Sequence, residues 1–163
     1  MDSDRSAVYA AELAAFDGTD LEMLLTFDVI ERRMEAVLAG EWWPGPPVVV
    51  RAARSDARSS STRCEVGQRS GTAVIRLARD QLTMATAAHE LAHALAGADR
   101  GHDALFRVAY LDVVAVMTNL DGTDRRRRLH VDHLAEAFDA VGLSTGSRQW
   151  SVPPPSMVGP IAL

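Results

Sequence analysis

Apolar residues recur at helical spacing along most of the chain, and at strand spacing only between about residues 48 and 77. Residues 5–15 carry Val8, Leu13 and several alanines and predict a short helix, broken at Asp17-Gly18-Thr19-Asp20. From 21 to 38, Leu24, Phe27, Ile30, Met34, Val37 and Leu38 follow the helical period, so a core-facing amphipathic helix is expected, ended by Gly40. Trp42-Trp43-Pro44-Gly45-Pro46-Pro47 reads as a rigid turn whose indoles either cover the core edge or line a groove. Three short strands follow, beginning at Val48, covering Ser60–Val66, and covering Gly71–Leu77. In the third, Ala73, Ile75 and Leu77 alternate with Thr72, Val74 and Arg76, the period of a half-buried strand. Gln68-Arg69-Ser70-Gly71 supplies a turn, and such short connections predict a small, mostly antiparallel sheet.

Beyond the strands the pattern is helical. Met84, Ala88, Leu91 and Leu95 form one apolar stripe of a helix spanning 81–97. Ala98-Asp99-Arg100-Gly101 turns the chain into a helix over 102–120, and a last helix over 124–141 is closed by Gly142. From Ser144 the sequence loses periodicity and gathers prolines, which predicts a loosely packed tail, with Trp150 or Ile161 available to dock back. The expected architecture is α+β: one domain over 5–143 with a small sheet packed on helices, then a tail over 144–163.

One stretch carries chemistry. His89-Glu90-Leu91-Ala92-His93 lies on the helix whose apolar stripe faces the other way. Residues i and i+4 of a helix stand nearly above one another, so both imidazoles can reach one metal ion. The carboxylate beside the first ring is placed to take a proton from a metal-bound water, as a hydrolytic site requires. His102, across the glycine-containing turn, is the expected third ligand, with Phe106 one turn further on packing around it. Asp103 either supports a ligand histidine or caps the helix that follows. Of the other titratable groups, His130, His133 and Asp112 are alternative ligands, and a fourth protein ligand would mark a structural rather than a hydrolytic metal site. His130 and His133 otherwise read as boundary residues of a packed face. Tyr110 is considered as an oxyanion donor, and Cys64, within a predicted strand, as a small buried residue.

Composition narrows the setting. The chain has 163 residues, the size of one ordinary domain, and a net charge of -5 with 17 basic residues, all arginine. An acidic surface of this kind gives no strong nucleic-acid signal, since that affinity comes mainly from neutralising phosphates. Arg125-Arg126-Arg127-Arg128 is the local exception and reads as a solvated helix turn or, alternatively, as a phosphate or partner contact. A single cysteine excludes an internal disulfide. No apolar run approaches the roughly 20 residues that cross a bilayer, and Met1-Asp2-Ser3-Asp4-Arg5 is unlike a secretory signal. A cytoplasmic protein is expected, with no membrane partner.

The motifs His89-Glu90-Leu91-Ala92-His93 and Gly101-His102 through Phe106, with Val8-Tyr9-Ala10-Ala11-Glu12 upstream, resemble the small zincin-like zinc metallohydrolases of actinobacteria and their phages. They are also similar to SprT-like minimal metalloproteases. The likeness spans roughly residues 5–143. It implies a metal-dependent hydrolase with Zn2+ held by His89, His93 and His102 and Glu90 as general base. The substrate expected is a peptide or protein, which an exposed edge strand at 72–78 would hold by main-chain pairing. The chain departs from metzincins, whose third histidine would fall at Asp99. The competing expectation is a non-catalytic, zinc-stabilised binding or regulatory domain.

Overall fold

The computed structural model describes residues 1–64, 71–119 and 124–155, with the side chains of 124–127 excepted. Five helices and three strands form a small α+β fold: α1 (Arg5–Phe16), α2 (Phe27–Ala39), β1 (Val48–Ala52), β2 (Ser61–Cys64), β3 (Ala73–Leu77), α3 (Met84–Ala96), α4 (Ala104–Asn119) and α5 (Asp124–Ala140). The turn expected at 68–70, the end of the second predicted strand, the side chains of Arg125–Arg127 and Ile161 lie outside the described residues.

In α1, Val8, Ala11, Ala15 and Phe16 are buried at the spacings of a single helix face. The second helix is shorter than its apolar pattern suggests. Asp20–Glu22 forms a separate 3-10 turn capped by the Thr19 side chain, and α2 begins only after Thr26. Ile30, Met34 and Val37 then face the core. α4 is buried almost all round, because it packs against α3 on one side and α5 on another, with α2 also touching it. A helix apolar on every side belongs in the middle of a fold, and α4 is the element around which the others gather.

The sheet is mixed rather than mostly antiparallel. Its order is β1-β3-β2, with β1 parallel to β3 and β2 antiparallel to it. The residues between β1 and β3 include β2 itself, so the chain has the length a parallel return needs. Local connection length reveals neighbours in sequence, and here the last strand inserts between the first two. Being central, β3 is buried along both faces, with Val74 only 1 % exposed beside Ala73, Ile75 and Leu77. Cys64, expected inside, is exposed at the end of β2.

The segment after α5 is held closely as far as it is described. Gly146 N donates to Ala104 O at 2.8 Å, and Ser151 O accepts from Trp42 Nε1 at 2.9 Å. Asp112, 4 % exposed, receives Arg148 through two hydrogen bonds of 2.9 and 2.8 Å and Trp150 Nε1 at 2.8 Å. Trp150 thus docks back, as its sequence position allowed. Among the described residues no helix is long and apolar enough to cross a membrane.

Candidate metal centre

Thr83 starts the helix that carries the motif: its hydroxyl accepts from Thr86 N at 3.1 Å, an N-cap contact. Alanine and leucine at 85, 87, 88, 91, 92 and 94 let this helix pack tightly, and the histidine face is covered as well. His89 and Glu90 are 5 % and 6 % exposed. The sequence suggested histidines pointing away from the packed stripe; α1, β2 and residues 1–4 close over that side.

After α3, Gly97 at φ 118° and Gly101 at φ 72° allow a tight reversal that side-chain-bearing residues would resist. His102 follows in a bend two residues before α4, not on the helix itself. Asp103 resolves to its capping role, its Oδ1 accepting from Phe106 N at 3.0 Å while Arg100 pairs with the other oxygen at 2.7 Å.

The three histidines meet. His89, His93 and His102 each offer a ring nitrogen, and these atoms lie within 4.8 Å of one another. The Nε2 atoms of His89 and His102 are 3.0 Å apart. Phe106, fully buried, forms a floor beneath the cluster, its ring centroid 4.4 Å from that of His93, 4.8 Å from His102 and 5.0 Å from His89. Tyr9 also packs on the cluster, stacked on His89 at 5.6 Å and edge-on to His102 at 5.4 Å.

Two carboxylates hold the outer edges of two rings. Glu12 Oε2 on α1 lies 3.0 Å from His89 Nδ1, and the Asp2 carboxylate pairs with His102 Nδ1. A carboxylate on Nδ1 fixes the tautomer and turns the Nε2 lone pair inward, the arrangement found around metal-ligating histidines. His93 Nδ1 is buried without a partner. Burial, reinforced by the two neighbouring imidazoles, pushes His93 down to about 3. Burial also lowers His102, against the opposing pull of Asp2. For His89 burial acts downward too, but the hydrogen bond and charge of Glu12 outweigh it and the net shift is upward. Neutral imidazoles are the form that binds a metal; His93 and His102 are shifted toward it, whereas His89, braced by Glu12, would give up its proton to an ion. The fit to an ion rests on the three converging ring nitrogens and the unpartnered Nδ1 of buried His93.

Glu90 lines the same cavity, of about 220 Å³, as the three histidines, Tyr9 and Thr62. Burial raises the Glu90 pKa, tempered by His89 and by Thr62. The Thr62 hydroxyl sits 2.6 Å from Glu90 Oε2 and 3.0 Å from the Glu90 carbonyl, and donates its one proton to either. A second cavity, of about 420 Å³, continues along α1, sharing Tyr9, Ser60, His89 and Glu90 and reaching Leu13. A further cavity, about 460 Å³, lies elsewhere, lined by Leu111, Val131 and Pro153 among others, and touches none of these groups.

Asp112, His130 and His133 stand apart. Asp112 is occupied by Arg148 and Trp150. His130 is buried, its Nε2 3.4 Å from Asp20 Oδ1, and His133 is exposed. Tyr110 is fully buried against the site, its ring centroid 5.5 Å from that of His89; its hydroxyl lies 3.3 Å from Ala85 O and also hydrogen-bonds with the Glu12 side chain. Asp2, Glu12, Thr62 and Arg107 were not legible as site residues. Only Glu12, an acidic residue on an alanine-rich helix one turn from Val8, carried any signal; Asp2 lies 100 residues from its partner. Comparison with protein-family models, with curated proteins and with solved structures returns no match.

Proposed function

We propose that the chain is a zinc-dependent hydrolase, a metallopeptidase of the minimal zincin kind that cleaves peptide bonds with Glu90 as general base. The observation that carries this reading is the convergence of three imidazoles, two of them braced by carboxylates, on a cavity that also holds the Glu90 side chain. An all-nitrogen donor set suits zinc. Zinc bound there would acidify a water and polarise the carbonyl under attack. Glu90 takes a proton from the attacking water and returns it to the leaving nitrogen. Thr62 holds the carboxylate toward the cavity, and Phe106 and Tyr9 keep the rings from turning.

An extended peptide is the substrate class that suits the surroundings. The strand first expected to pair with it, 72–78, is central and has both edges taken. Of the two outer strands, β2 is the one beside the site, and Ser61 and Thr62 line the cavity. Main-chain pairing along that edge would lay a peptide across the histidines. Tyr9 and Leu13, 44 % and 61 % exposed and one turn apart on α1, offer an apolar wall. A purely structural zinc would need a fourth protein ligand, and among the described residues none of Asp112, His130 or His133 joins the group, so the hydrolytic reading is favoured. A reducing, cytoplasmic setting belongs to the same proposal and rests on the single cysteine.

The test is turnover of a broad peptide library by zinc-loaded protein, beside a positive-control protease. Glu90→Gln is expected to lower turnover by roughly 100- to 10,000-fold while zinc content stays unchanged. A folded, zinc-loaded wild type without Glu90-dependent cleavage overturns the proposal.

A further inference from the structure

His89 and His93 are held by the hydrogen-bond ladder of α3, but His102 sits in a bend and is fixed from outside. Arg107, one turn into α4 and 4 % exposed, donates from Nη1 to His102 O at 2.7 Å and to Asp4 Oδ2 at 2.8 Å. Its Nε donates to Ser144 O at 2.6 Å. Asp4 stands at the N-cap position of α1 but makes no side-chain cap contact; its carboxylate goes to the guanidinium. With Asp4 so placed, Asp2 lies over the loop and meets His102 Nδ1. A Cβ at Gly101 would come 3.1 Å from Asp2 Cγ, so the glycine makes room for this approach.

We infer that Asp2 is a positioning residue for the metal, and that residues 1–4, anchored by Arg107 through Asp4, set how tightly the centre holds its ion. This rests on the reading of His89, His93 and His102 as metal ligands. The carboxylate keeps the proton of His102 on Nδ1, aims Nε2 inward and makes it more basic. Glu12 does the same for His89 from the rigid body of α1. Asp2 does it from a segment before α1, held by the half-buried Asp4–Arg107 ion pair, so its support can be removed without disturbing a helix. Asp4 and Arg107 touch no metal-facing ring atom, yet they determine where Asp2 lies.

The experiment uses the full chain and zinc alone, with affinity from chelator competition. Asp2→Ala is expected to weaken zinc binding by about 10- to 100-fold, with the urea midpoint of the stripped protein unchanged. Asp4→Asn should weaken zinc in the same direction although it contacts no histidine, and Asp2→Glu should recover part of the loss. Nitrogen-15 spectra of the stripped protein should show His102 passing from one tautomer to a mixture in Asp2→Ala. Zinc affinity in Asp2→Ala equal to wild type, or an equal loss from Asp17→Asn, overturns the inference and leaves the metal site standing. A wild type that binds no zinc overturns both.

Discussion

Phe106→Ala tests the centre through its floor. The ring is wholly buried and lies within 5.0 Å, centroid to centroid, of all three imidazoles. Truncating a buried phenylalanine costs about 3–5 kcal/mol, from lost burial and from the cavity left behind. A domain is stable by only about 5–15 kcal/mol, so the stripped variant should be marginal. Free zinc at about 1,000 times its Kd adds ~4.1 kcal/mol to a folded state that alone binds it. The two effects are of equal size, and zinc-loaded Phe106→Ala should therefore unfold near the urea midpoint of stripped wild type. Phe106→Leu, which keeps an apolar floor, should fall between. The assay is urea unfolding followed by far-ultraviolet circular dichroism, with and without zinc. A loss below about 1 kcal/mol in the stripped Phe106→Ala protein would contradict the packing values for a buried ring. No gain from zinc in either protein would contradict the site.

His102→Ala should lose tight zinc at full stoichiometry; a variant that retains it, measured by metal analysis after dialysis, would remove His102 from the ligand set. Arg148→Ala leaves the Asp112 carboxylate, 4 % exposed, without its cation. Breaking a fully buried pair from one side costs about 3–5 kcal/mol; the Arg148 side chain is 35 % exposed and Trp150 still donates to that carboxylate, so a loss below that range is expected in urea. Zinc affinity should not change, because the clasp lies away from the histidines.

Local signals reached the sequence reading and long-range ones did not. The α3 helix and its histidines were legible because i, i+4 spacing is a property of one segment. The start of α4 was misplaced by two residues since Asp103, its cap, could be read equally as a histidine's support. α2 was drawn too long because Leu21 and Leu24 share its apolar spacing, although Thr26 before Phe27 carries a cap signal. The order β1-β3-β2 was hidden, as alternation in Ala73, Ile75 and Leu77 reveals a face and no neighbour. Glu12 and Asp2 reach the site from across the fold, and nothing adjacent to the motif points to them; Arg107 is local to His102, but its other partner, Asp4, is 103 residues away.

The span between Asp2 and His102 has a consequence for how the protein is made. Joining points about 100 residues apart, rather than the four that separate His89 from His93, costs roughly 3 kcal/mol more in chain entropy. A nascent or half-collapsed polypeptide can offer the helical pair early, but the braced third ring arrives only when both halves have docked. On the proposed reading, tight capture of an ion is then a late event, one that waits until residues 1–4 have docked on the turn before α4.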